Sequence, residues 1–171
     1  MRQIKINSVT GSEIVTTQDV KDYVRIDTSA DDTIIGRMIE QARIWCENYI
    51  SRDIVAKNRT YYIDSTNGVF DIPFAPVSSI SSVTIQGETA EYTVLGLDNE
   101  TIELDGGSAE QVKVSYVTTG LSDGLLKQAI LQLVSTYYDN RADFASVVGG
   151  ASNEIPTSVK SILSSYKSMF I

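Results

Sequence analysis

The apolar positions of this chain change period twice. They recur at helical spacing from Thr16 to Ile50, alternate from Asn58 to Thr118, and return to helical spacing after Asp123. Thr16 and Asp19 have the N-cap and N3 relation of a capping box. They predict a short helix over about residues 17–25 that buries Val20, Tyr23 and Val24. Residues 1–15 read as extended or loosely ordered. Ser29 with Asp32 marks a second helix start, and the helix over 31–50 has a clear stripe. Ile34, Ile35, Met38, Ile39, Ala42, Trp45, Cys46 and Tyr49 fall within roughly 140° of one another at about 100° per residue. Arg37, Glu40, Gln41, Arg43, Glu47 and Asn48 take the other side. Ile44 points into that charged side, which makes it a candidate contact with a partner.

The middle of the chain reads as short strands at 59–63, 69–72, 79–86, 92–95, 101–104 and 111–118. Asn67-Gly68, Pro73, Pro76, Gln86-Gly87, Asp98-Asn99 and Gly106-Gly107 punctuate them. Val112, Val114 and Tyr116 alternate with Gln111, Lys113 and Ser115, so one face is buried and the sheet is expected to be antiparallel. Asp123 caps a third helix reaching Tyr138 or Asp139. Its core stripe is Leu125, Leu126, Ala129, Ile130, Leu133, Val134 and Tyr137, and Leu131 and Tyr138 widen the apolar arc to roughly 240°. Either the chain wraps this helix on most sides, or Leu131, Val134 and Tyr138 pack on a neighbouring subunit. Residues 142–155 form a long loop of small residues, a length uncommon without a role. Pro156 then opens a last helix. Val159, Ile162, Leu163, Tyr166, Met169 and Phe170 make its narrow stripe, Lys160 and Lys167 its only charges. The apolar end Met169-Phe170-Ile171 reads as tucked in or docked on something.

The expected fold class is therefore α+β: a four-helix core (16–52 and 121–171) with an inserted antiparallel β subdomain of about six short strands (58–119), together a single domain. Composition narrows what such a fold does. The chain has 171 residues, 42% hydrophobic and 21% charged, enough for a core without disulfides. Its one cysteine, Cys46, lies in an apolar stripe and reads as a buried thiol. No apolar run approaches the roughly 18 residues of a membrane span, and the first residues lack a signal-peptide core, so the protein is expected to stay where it is made. Histidine is absent, which removes the commonest general base, the usual nucleophile pairs and most zinc sites.

The net charge of −8 is unevenly spread. Residues 64–110 hold nine acids and no Lys or Arg, leaving 14 basic against 13 acidic residues elsewhere. Such a block repels nucleic acid rather than gripping it. Among acids, Asp31-Asp32 sits at a helix start, where carboxylates offset the helix dipole. Asp64, Asp71 and Glu103 are the residues a carboxylate-based hydrolase would use, but nothing places a pair in a cleft. No phosphate-binding glycine motif is present. No catalytic residue, metal ligand or cofactor is expected.

Five ordered phrases resemble one family. Residues 16–27 (TTQDVKDYVRID) and 31–52 (DDTIIGRMIEQARIWCENYISR) are similar to the start of the tailed-phage head–tail connectors, the head-completion adaptors. Residues 112–120 (VKVSYVTTG) resemble the family's closing strand and glycine. Residues 125–141 (LLKQAILQLVSTYYDNR) resemble its third helix, and 155–167 (IPTSVKSILSSYK) its last short helix. Ser122-Asp123 departs from the prolines many members carry there.

The resemblance implies a non-enzymatic virion protein at the capsid vertex, made in the host cytoplasm. It implies a homo-oligomeric ring, usually dodecameric, beneath the portal. The ring extends the DNA channel without specific DNA binding and docks the next stopper or tail protein; no membrane is involved. The family's portal-reaching segment maps onto Pro156, Val159, Lys160, Ile162, Leu163, Tyr166, Lys167, Met169, Phe170 and Ile171. Other phage ring proteins (stopper, tail terminator, baseplate) and the hydrolase remain as alternatives.

Overall fold

A computed structural model describes residues 1–140 and 155–167. The chain divides into two compact units, each built from two stretches: Met1–Ser12 with Ser51–Leu121, and Glu13–Ile50 with Ser122–Ile171. The first is all β, the second all α, so the class is α+β with antiparallel sheets, as the periodicities predict.

The β unit contains β1 (Arg2–Val9), β2 (Lys57–Thr66), β3 (Val69–Asp71), β4 (Val77–Ile85), β5 (Glu88–Thr89), β6 (Tyr92–Leu95), β7 (Thr101–Leu104) and β8 (Ala109–Thr118). They form a five-stranded sheet in the order β1-β2-β8-β4-β5 and a three-stranded sheet in the order β3-β7-β6. Tyr61 pairs with Val114, Ile63 with Val112, and Val83 with Val114 across the ladders. The even spacing of these residues puts all of them on the core side, where Phe70, Ile72, Ile102 and Tyr116 join them. Two strands went unread in the sequence. β1 occupies residues read only as extended or loosely ordered, and β5 is only two residues long. Gly120, just past β8, has φ +79°, and a Cβ there would lie 2.7 Å from the Ile54 carbonyl oxygen, so only glycine fits.

One corner of this unit is ionic. Asp53 is fully buried and accepts from Lys57 Nζ (2.9 Å), Arg59 Nε (2.8 Å) and Thr118 Oγ1 (2.8 Å). The Arg59 guanidinium lies 3.8 Å from the centroid of Phe74. Burial alone would raise the Asp53 carboxyl, but the hydrogen bonds and charges of Arg59 and Lys57 outweigh it and hold the group below the usual carboxylate range.

The helical unit contains α1 (Thr17–Val24), α2 (Asp32–Ile50), α3 (Gly124–Asp139) and α4 (Thr157–Ser164). The capping box forms: Asp19 N–H donates to Thr16 Oγ1 (3.1 Å) and Thr16 N–H to Asp19 Oδ2 (2.7 Å). Asp123 caps α3 by accepting from Leu125 N–H (2.7 Å). α2 packs on α3, α4 packs on both, and α1 does likewise. Val20, Ile35, Ile39, Ala42, Cys46, Leu126, Ile130, Leu133 and Leu163 are buried there. Five residues depart from expectation. Tyr23, Ile34 and Leu125 were assigned to core stripes and are exposed. Each lies near a helix end. Arg43 and Glu47 were assigned to the wet side of α2 and are buried. Arg43 Nε reaches Glu13 Oε1 at 2.8 Å and Arg43 Nη1 reaches Glu47 Oε2 at 2.8 Å, so the charge is paired rather than solvated.

Candidate assembly surfaces

The side chains that the described residues leave uncovered are the candidates for contact with other molecules. Ile44 is 43% exposed on α2, between exposed Gln41 and Asn48. Leu131 and Tyr138 on α3 are half-buried, and the Tyr138 hydroxyl donates to Asp31 Oδ2 at 2.7 Å. Val134 has no exposed surface and packs inside its own chain, so it has nothing to offer a neighbour. The wide arc of α3 is thus largely covered by its own bundle, with Leu131 at its margin.

The last described helix is anchored to the same bundle. Val159 and Leu163 are fully buried, Ile162 and Lys160 half-buried, and Pro156 is the N-cap residue. Tyr166 donates to Asp123 Oδ1 at 2.6 Å, the carboxylate that also caps α3. The bonds from Tyr166 and from Leu125 N–H hold that carboxyl below its usual range. Lys167 Nζ lies 5.4 Å from the Tyr49 ring centroid and stays exposed. Met169, Phe170 and Ile171 lie outside the described residues, as does the loop over 142–154.

Asp64, Asp71 and Glu103, the carboxylates a hydrolase would use, are all exposed. Asp64 accepts from the amino terminus (3.0 Å) and the Tyr62 hydroxyl (3.0 Å), bonds that keep its carboxyl low. Asp71 accepts from Thr101 Oγ1 at 2.7 Å on the open face of the small sheet, the face that Glu103 shares by register. Asp32 pairs with Lys21 at 3.1 Å. Among the described residues no group of His, Cys, Asp and Glu could hold a metal ion, and no helix is long and apolar enough to cross a membrane.

The surfaces that sequence reading missed lie on the β unit. Every residue of β1 is exposed, Ile4 and Ile6 among them. Leu97, in the turn after β6, is the most exposed large apolar side chain described, with Leu95 exposed beside it. The signal was present in the first case: Gln3-Ile4-Lys5-Ile6-Asn7 alternates like a strand.

Residues 13–169 match a protein family described as head completion protein. A comparison with curated proteins gave no sequence match. Among solved structures, a chain in the neck of an empty gene transfer agent particle, computed with C6 symmetry, superposes with a TM-score of 0.76 at 15% identity. The likeness covers 99% of this chain and 97% of that one. A chain in the neck of the native particle, computed with C12 symmetry, gives 0.73 at 16%, and one in the native virion 0.75 at 17%, with the same coverage. At these identities the likeness is one of fold, and it extends over both units.

Proposed function

The chain belongs to the head completion protein family, and from that membership we propose that it is a structural, non-enzymatic part of a phage-type neck. The two units act as one adaptor domain. Copies form a ring beneath the portal, extend the DNA channel and present a surface to the next stopper or tail protein. The observation carrying this reading is that the family match runs from residue 13 to 169, through both units rather than over one motif. The C12 and C6 symmetries of the neck particles that share this fold support a ring, with twelve copies as its expected size. The acidic stretch 64–110 supports a channel or outer wall along which DNA passes without adhering. Ile44 and Leu131 are the proposed helical contacts between copies.

Portal docking is assigned to the segment from Pro156 onward, with a division of labour. Val159, Leu163 and Tyr166 hold α4 on its own bundle. That leaves Lys160, Ile162, Lys167 and the apolar end Met169-Phe170-Ile171 for the portal. A chain ending at Lys167 tests this, since it keeps these three anchors. It is expected to melt as the full chain does and to lose co-sedimentation with portal rings. Undiminished portal binding would remove the docking assignment.

A further inference from the structure

β1 ends the five-stranded sheet, and no further strand among the described residues pairs with it. The Met1 carbonyl accepts from Asp64 N–H at 3.0 Å, so the alternation of an antiparallel ladder turns the backbone groups of Arg2, Ile4 and Ile6 away from β2. Ile4 stands opposite Tyr61 and Ile6 opposite Arg59, which places both isoleucines on the core-side face, where they continue the apolar surface past the last covered strand. An eight-residue edge of this kind is a template for another chain. Proteins that must stay single commonly shorten, bulge or cover such a strand; here one bulge at Asn7 lies beyond the first five residues.

The electrostatics indicate what covers it. Residues 1–12 hold Arg2 and Lys5 and no acid, and neither side chain has an acidic partner among the described residues. The opposite edge of the same sheet is β5, within the stretch that holds nine acids and no base. Glu88 on β5 and Glu91 just after it are exposed and have no ion-pair partner among the described residues. One sheet thus has a basic, apolar edge at one end and an acidic edge at the other. A heterologous, head-to-tail contact joins two different surfaces of identical copies, and complementary ends of one sheet are what it requires.

We infer that the β units also join copies of this chain, the β1 edge of one meeting the acidic β5 flank of the next. The inference rests on the ring reading above and adds a second intersubunit contact to the helical one. The test uses the full chain, with assembly followed by sedimentation and by imaging, alone and with portal. Arg2→Glu/Lys5→Glu sets acid against acid and is expected to raise the concentration needed for assembly roughly tenfold or more. Glu88→Lys/Glu91→Lys is expected to do the same. The quadruple variant, with both edges reversed, is expected to assemble again, because each copy then offers the two signs exchanged. Rescue of that kind is not expected of charges that act only on folding. If the wild type forms rings and the two double variants do so equally well, or if the quadruple variant stays as defective as they are, this contact is overturned and the ring stands. If the wild type forms no ring even with portal, both readings fall.

Discussion

Asp53→Asn removes one negative charge from a site with no exposed surface, and with it the buried counter-charge of Arg59 and one ion-pair partner of Lys57. Asparagine has nearly the same shape, so the change is electrostatic rather than steric. Its amide can accept on one atom only and places donors against the Arg59 and Lys57 donors on the other. Breaking a buried pair by removing one partner costs about 3–5 kcal/mol, a large share of the roughly 5–15 kcal/mol that holds a domain folded. The loss should appear in urea unfolding followed by far-ultraviolet circular dichroism, as a lower midpoint with an unchanged slope. Two further measurements isolate the cause. Asp53→Asn combined with Arg59→Met should lose less than the two single losses added together, because the second change removes a cation the first has stranded. The pH dependence has a definite sign. The folded carboxyl lies below its unfolded value, so its stabilisation is complete above the ordinary carboxylate range, about pH 4, and fades as pH falls through the folded value. The gap between wild type and variant should narrow in the same direction. A loss under about 1 kcal/mol, or strictly additive double-variant losses, would refute the claim that this cluster acts as a buried ionic unit.

Gly120→Ala should destabilise by about 1–3 kcal/mol in the same melts, since a methyl there is strained at positive φ and meets the Ile54 carbonyl. Cys46, pushed up to about 12 mainly by burial, should ignore thiol reagents at neutral pH until urea unfolds the chain; rapid labelling of the folded protein would contradict its placement. Leu131→Asp should impair ring assembly while leaving the monomer folded, and intact rings would clear that margin of α3 of a role.

Element types were legible where one face of an element is dry and the other wet. α2, α3 and the alternating strands β2 and β8 have that contrast, and their bounds fall within a few residues of the pattern. β1 lacks it, because both of its faces are exposed and only Ile4 and Ile6 mark the period. The ionic clusters were hidden for another reason. On β2 the buried face runs Lys57, Arg59, Tyr61, Ile63, so two charged residues keep the phase of the apolar ones. Reading charge as wet discards that phase, although the alternation itself was intact. Arg43 and Glu47 were less accessible still. Arg43 is also paired with Glu13, which precedes α1, and no local pattern announces a partner 30 residues away.

The arc of α3 shows why assembly surfaces resist reading from sequence. An apolar residue on a helix records only that water is excluded there; it does not record whether the excluding group belongs to the same chain. Val134 and Leu131 are three positions apart on one helix and equally apolar, yet one is wholly covered by its own bundle and the other sits at its margin. Surplus apolar width is therefore a poor guide to an interface in a four-helix unit, where the central helix is touched by α1, α2 and α4 alike. An unpaired strand edge differs, because its backbone donors and acceptors must find partners in water or in another chain. Charge of one sign at that edge and of the other at the far end of the same sheet then narrows the partner. On that ground the β unit, which was read first as an acidic block that repels nucleic acid, carries the more specific of the two proposed contacts.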